Sequence, residues 1–182
     1  MNDEPFPLPS LIESHELMSH DFAKFTRDLL VTPKEHRYYY YSLVLKPRSV
    51  VIIGTTKEGL YLLTREYRHP TGQVVLGCPG GLVEESEDLL AAAERELLEE
   101  TGYGAETFDI IGETFGFPGI TGQKTTIVRA ANVFYKKEPD LEPSEFIIPL
   151  LLTPDELHNR LSFEHVDSLL CSALFFHNLK SV

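Results

Sequence analysis

Three glutamates, Glu96, Glu99 and Glu100, fall within about a 100° arc if Asp88 to Thr101 is one helix. Carboxylates crowded on one stripe repel one another, and their pKa values rise unless a cation neutralises them. Hard oxygen ligands on a helix, with room left for water, suit Mg²⁺ or Mn²⁺. The same acids could instead form a solvated face, since a charge run often does only that. Between Gly81 and Tyr103 stand eight acids and one base, Arg95, which is most of the chain's net charge of −12. Apolar residues flank the stripe on both sides, Leu90, Ala93 and Leu97 on one and Ala91 and Leu98 on the other. That pattern predicts a helix packed between layers with its acids facing a cleft.

The elements that must position these groups follow from pattern and breakers. Asp88–Thr101 is rich in Leu, Ala and Glu, and Gly102 stands where a C-terminal cap is expected. Residues 1–20, with three prolines, read as an irregular arm. Antiparallel strands are expected between His20 and Leu45 around a turn at Thr32-Pro33-Lys34, then a buried strand at Ser49–Gly54 and its return over Leu60–Glu66. Gln73–Cys78, Phe108–Thr114, Thr125–Tyr135 and Phe146–Leu152 read as further strands. Thr153-Pro154-Asp155-Glu156 opens a helix as a capping box with proline in the first turn. A last helix is expected over Asp167–Leu179. Mixed strands with one central and one or two terminal helices make an α+β domain or an α/β sandwich.

The acidic stretch also fits Gly-x5-Glu-x7-Arg-Glu-apolar-x-Glu-Glu-x-Gly-apolar at Gly81, Glu87, Arg95, Glu96, Leu97, Glu99, Glu100, Gly102 and Tyr103. Residue frequencies would give that pattern in roughly one shuffled chain in a million. It resembles the Nudix box, with every position filled. The resemblance implies an α/β/α sandwich of mixed sheet in which the box forms a loop–helix–loop. It also implies hydrolysis of a nucleoside diphosphate linked to another group, with divalent cations held by the box glutamates. It makes Glu96 and Glu100 metal ligands, Glu99 a second or water-mediated ligand, and the Gly80 carbonyl a further one. Gly81, Glu87, Arg95 and Gly102 are then structural parts of the box, Arg95 pairing with Glu87.

The segments outside the box resemble the ADP-ribose pyrophosphatase and nucleoside diphosphate sugar hydrolase branch from about residue 20 onward. By that resemblance Arg68, with Tyr67 beside it, contacts substrate phosphate; a guanidinium fork suits the task. Pro118, fifteen residues past Tyr103, matches the branch's loop proline. Phe117 and Gln123 depart from the Ser-Pro-Gly and glutamate of ADP-ribose enzymes, which favours a broader sugar range. The general base comes from the acidic loop Glu138–Phe146, with Glu145 the best match, Glu142 next, and Glu99 if neither serves.

The implied reaction cleaves the pyrophosphate of a nucleoside diphosphate sugar to a nucleoside monophosphate and a sugar phosphate. A dedicated ADP-ribose pyrophosphatase is the alternative, and a non-catalytic nucleotide sensor is disfavoured because every box glutamate is kept. Residues 1–48 are expected to form an arm and antiparallel strands, with Tyr38–Tyr41 alternating across a strand and supplying a homodimer contact or a nucleobase platform. Residues 49–182 form the hydrolase domain, with the box at 81–103. The acidic balance argues against nucleic acid as a partner. No apolar run is long enough to span a bilayer, and the N-terminus lacks a leader pattern. Cys78 and Cys171 form no framework or metal spacing, so a reducing cytoplasm is the expected compartment.

Overall fold

The computed structural model describes residues 6–179. The first five residues of the expected arm and the last three of the tail lie outside the described residues. The described residues form two compact units, one holding residues 6–47 together with Phe117–Gln123 and the other holding Arg48–Gly116 and residues 124–179.

The smaller unit is a three-stranded antiparallel sheet, β1 (Ser10–Ser19), β2 (Ala23–Val31) and β3 (Arg37–Leu45), in that order. The strand β1 corrects the reading of residues 1–20 as irregular: the prolines end at Pro9, and Ser10–Ser19 pairs along β2. Two register shifts, at Leu11/Glu13 and Glu16/Met18, break its alternation, which is why no period-two signal marks it. In the tyrosine run Tyr38 is half-buried and Tyr39, Tyr40 and Tyr41 are exposed. Tyr39 lies under the Arg27 guanidinium at 4.7 Å, and Tyr41 stacks on Phe25 at 5.9 Å. The loop Phe117–Gln123 joins this unit through Leu43 N–H donating to the Ile120 carbonyl and the Tyr40 hydroxyl donating to the Gly119 carbonyl.

The larger unit is built on a mixed sheet of β4 (Arg48–Thr55), β5 (Tyr61–Arg68), β6 (Gln73–Gly77), β8 (Thr107–Phe115), β9 (Lys124–Ala131) and β11 (Ile147–Leu152), with a two-stranded ribbon β7 (Tyr103–Gly104) and β10 (Phe134–Tyr135). The path runs β11-β5-β4-β9-β8, with β6 on β5; β4 and β9 are parallel and the other pairs antiparallel. The expected strand Thr125–Tyr135 is two, because Asn132 takes φ 53° between β9 and β10.

Helices cover both faces: α1 (Leu89–Thr101) on one, α2 (Pro154–Phe163) and α3 (Ser168–Leu179) on the other. Strand alternation builds the two cores. Val50, Ile52, Leu62, Val128 and Ala130 pack with Ala92, Ala93 and Leu97 of α1, whereas Val51, Ile53, Leu63 and Ile127 pack with Leu157 of α2 and Leu170 and Ala173 of α3. The fold is the expected α+β sandwich. Among the described residues no helix is long and apolar enough to cross a membrane.

The capping box at Thr153 is formed in full: its hydroxyl accepts from Glu156 N–H, and Glu156 accepts from Thr153 N–H at 2.9 Å.

Candidate active site

The box helix is set by its two ends. Asp88 caps it, its carboxylate accepting from the N–H groups of Leu90 and Ala91, and Gly102 closes it at φ 75°. A side chain at Gly102 would strike the Lys137 carbonyl, so only glycine fits. Gly80, at φ 154°, lies so close to the Val50 carbonyl and the Val51 Cα that a Cβ there has no room. The loop before the helix is stitched to β4 on either side of Gly80, with Ile52 N–H donating to the Pro79 carbonyl and Val50 N–H to the Gly81 carbonyl.

Burial on α1 falls on one side, at Ala92, Ala93, Leu97, Glu100 and Thr101, while Ala91 is exposed and Leu98 half-buried. The helix is therefore packed on one flank rather than two. Its carboxylate stripe overlaps the edge of the buried face. Glu100 is 7% exposed, and its Oε2 accepts from the Gly80 N–H at 2.9 Å. Desolvation is the main cause that pushes its carboxyl up to about 8, the Gly80 bond pulling down and Glu96, Glu66 and Glu145 pushing further up. Glu96 is raised as well, chiefly by burial, with Arg95 opposing and Glu99 and Glu145 adding to the rise.

Arg95 is the hub of the loop–helix junction. Its Nε and Nη2 bind the two Glu87 oxygens, each at 3.0 Å, while Nη1 reaches Glu96 at 2.8 Å and Glu99 at 3.1 Å. Nη2 also donates to the Leu82 carbonyl at 3.1 Å. The Glu87 bidentate pair holds that carboxyl below its ordinary range. Beyond the expected partner Glu87, the guanidinium thus engages two of the three stripe carboxylates. Among the described residues no three acidic, histidine or cysteine side chains converge as a preformed metal cage. The donor set nevertheless fits a hard divalent cation: Glu96 and Glu100 are desolvated, mutually repelling carboxylates whose charge is unfavourable without one.

Strand β5 reaches this side of the sheet from below. Since Leu62 belongs to the α1-side core and Leu63 to the opposite one, alternation puts Thr64, Glu66 and Arg68 on the α1 side and Arg65 and Tyr67 on the other. Arg68 and Tyr67 therefore do not face the same way. Arg68 pairs with Glu66 at 2.6 Å. Tyr67 lines a largely apolar hollow of about 490 Å³ with Leu141, Glu145, Phe146 and Ile148. Glu66 escaped notice in the sequence; the signal available was its position two residues before Arg68 in a strand.

In the acidic loop, Glu145 is half-buried and accepts from the Glu142 N–H at 2.8 Å, while Glu142 is exposed. The charge of Glu145 is felt by Glu66, Glu96 and Glu100 alike. The loop's start is fixed to the helix end, where Asp140 N–H donates to the Glu99 carbonyl at 2.8 Å and Lys136 and Lys137 donate to the Gly102 carbonyl. Pro118 belongs to the smaller unit and not to the unit that holds the box. Burial pushes the Cys78 thiol up, which leaves it a packed residue and a poor nucleophile.

A mixed sheet between helices, with a capped loop–helix–loop carrying desolvated glutamates, defines an α+β protein whose site is built on one helix. The NUDIX domain profile matches residues 45–170, and the chain belongs to that family. It is 29% identical over 176 residues to the ADP-sugar pyrophosphatase of Mus musculus, covering 87% of this chain and 80% of that one. It is 30% identical over 115 residues to the methanol dehydrogenase activator of Bacillus methanolicus, where the match spans 63% of this chain and only 62% of the relative. A crystal structure of an ADP compounds hydrolase superposes with a TM-score of 0.81 at 22% identity, over 97% of this chain and 95% of that one, which shows the shared fold.

Proposed function

We propose that the protein is a divalent-metal-dependent hydrolase that cleaves the pyrophosphate of nucleoside diphosphate sugars, giving a nucleoside monophosphate and a sugar phosphate. The observation that carries this reading is the buried, charge-crowded pair Glu96 and Glu100 inside a complete box. The relative named ADP-sugar pyrophosphatase, which the chain matches over most of both lengths, supports the substrate class.

Glu96 and Glu100 would hold the cation, with Glu99 and the Gly80 carbonyl as further ligands and Mg²⁺ or Mn²⁺ as the ion. Such an ion neutralises the pyrophosphate and lowers the pKa of the attacking water. Arg95 and Glu87 keep the loop and helix in register and orient Glu96 and Glu99. Arg68 binds substrate phosphate from β5, and Tyr67 contacts the substrate from the hollow it shares with Glu145. Glu145 accepts the proton of the water; its charge reaches Glu96 and Glu100, and it is half-buried where Glu142 is exposed. The exposed Leu11, Met18, Tyr39 and Tyr41 of the smaller unit support a homodimer contact. Two free thiols accord with a cytoplasmic site of action.

The test is a phosphatase-coupled panel of ADP-ribose, ADP-glucose, GDP-mannose, UDP-glucose and dinucleotides with Mg²⁺ or Mn²⁺. Turnover of several nucleoside diphosphate sugars is expected. Turnover of ADP-ribose alone would make the protein a dedicated ADP-ribose pyrophosphatase, and ligand binding without any turnover would sink the enzymatic reading.

A further inference from the structure

Glu66 is a carboxylate in an unusual place. Its strand is filled on both edges, with Glu66 opposite Ile147 of β11 and opposite Val75 of β6, so its backbone has little freedom. Its side chain is 19% exposed, on the α1 side of the sheet. Burial raises its carboxyl, the charges of Glu145 and Asp167 raise it further, and Arg68 opposes them. Among the described residues its one ion-pair partner is Arg68, whose Nη2 lies 2.6 Å from Oε2. Among the described residues no backbone amide or hydroxyl donates to it.

Arg68 is the looser member of the pair. It is the last residue of β5, its side chain is 51% exposed, and the chain turns away directly after it through the short 3₁₀ turn His69–Thr71. A free arginine at a strand end loses several rotamers when it binds phosphate, which costs affinity. Binding one Nη to a rigid carboxylate removes much of that loss beforehand, while the remaining N–H groups of the fork stay available for phosphate. A half-buried acid next to other acids is unfavourable for stability, and such pairs are weak stabilisers. Its placement is accounted for if the pair fixes orientation.

We infer that Glu66 is a positioning residue that holds the Arg68 guanidinium on the box side of β5 in the orientation that receives substrate phosphate. This rests on the reading of Arg68 as a phosphate contact given above. It also distinguishes Glu66 from the box glutamates: Glu66 acts through Arg68 on binding and takes no part in the chemical step.

The experiment is a double-mutant cycle on the full chain with ADP-ribose, reading kcat and KM separately, with thermal melts confirming that each variant is folded. Arg68→Ala is expected to raise KM by about tenfold or more, as loss of a charge-assisted contact should. Glu66→Gln, which keeps size and removes the charge, is expected to raise KM by about three- to tenfold with kcat within about twofold of wild type. In the Arg68→Ala background Glu66→Gln should then change KM by less than about twofold, because nothing remains to be positioned. If Arg68→Ala leaves KM unchanged, the phosphate-contact reading fails and takes this inference with it. If Arg68→Ala raises KM but Glu66→Gln does not, or does so equally in both backgrounds, the positioning role alone is overturned. A Glu66→Gln variant whose kcat collapses at unchanged KM would place the carboxylate in the chemistry and overturn it as well. Should Glu66→Gln fail to fold, Glu66→Asp serves: a shorter acid that keeps the charge should still raise KM in the wild-type background and not with Arg68→Ala.

Discussion

The two faces of the larger unit's sheet are made by adjacent residues of the same strands, yet they are built for different ends. On the α2/α3 face, Val51, Ile53, Leu63 and Ile127 meet Leu157, Leu170 and Ala173, and the buried Ser49 and Thr125 hydroxyls satisfy each other at 2.9 Å. On the α1 face the same strands offer Val50, Ile52 and Leu62, but the helix opposite inserts Glu100 among them, with Glu96 and Glu66 at the margin. Glu100 is the one charged residue in the buried class among those described. One face spends its burial on stability; the other gives up part of it to hold carboxylates out of water, where their affinity for a cation is greatest.

Substitutions that respect this division should separate activity from stability. The largest effect is expected for Glu100→Gln, which should remove nearly all turnover while leaving the melting transition intact. The variant should stay folded, with a cooperative melt whose pH dependence alone differs, and retention of more than about a tenth of wild-type kcat, a loss of ~1.4 kcal/mol or less, would exclude Glu100 as a ligand. Next comes Glu145→Gln, expected to lower kcat by about 10²–10⁴ at nearly constant KM, with Glu142→Gln close to silent. Exchange of those two phenotypes would move the base to Glu142, and two silent variants would move it to Glu99. On the opposite face, Leu170→Ala should cost about 2–5 kcal/mol in denaturant unfolding, since a fully buried leucine leaves a cavity. Its kcat, measured well below the melting point, should stay within about twofold of wild type; a tenfold fall would mean that the faces are coupled.

The smallest expected effect is a pH dependence. The unfolded Glu100 loses its proton near 4.5, whereas the folded one keeps it to about 8. Over that window the folded state binds more protons, so its stability falls as pH rises. Melting temperatures of EDTA-treated protein should drop from about pH 5 to pH 8, less so for Glu100→Gln, and added Mg²⁺ should restore the loss at the upper end. Parallel curves for the two proteins would remove Glu100 as the cause.

What the sequence made legible was set by local rules. Asp88 and Gly102 mark the helix ends through cap chemistry that needs no tertiary partner, and Thr153 with Glu156 does the same for α2. The box spacing named the carboxylates and Arg95. What stayed hidden depended on pairing across the chain. The strand Ser10–Ser19 exists because β2 lies beside it, and its bulges erase the alternation that would have betrayed it. Tyr67 and Arg68 are neighbours in sequence and face opposite ways, a fact that alternation along β5 could have supplied had the strand been carried two residues past Glu66. The engagement of Glu96 and Glu99 by Arg95 needed coordinates, because helix spacing and the expected Glu87 pair do not say that one guanidinium would serve all three carboxylates.

The stitching of the segment after β10 to the end of α1 has a consequence for exchange and cleavage. Lys136, Lys137 and Asp140 donate their amides to carbonyls of the last helical turn and its cap, and Phe146 accepts from Tyr67 at the far end of the loop. The amide protons of Lys136 and Asp140 should therefore exchange with deuterium on the timescale of the helix terminus, although they lie in a proline-rich connection. Residues 141–145, by contrast, form a short span between two fastened ends. A protease should find its first cut there, and the two fragments should stay associated through β11, which remains paired with β5 along its whole length.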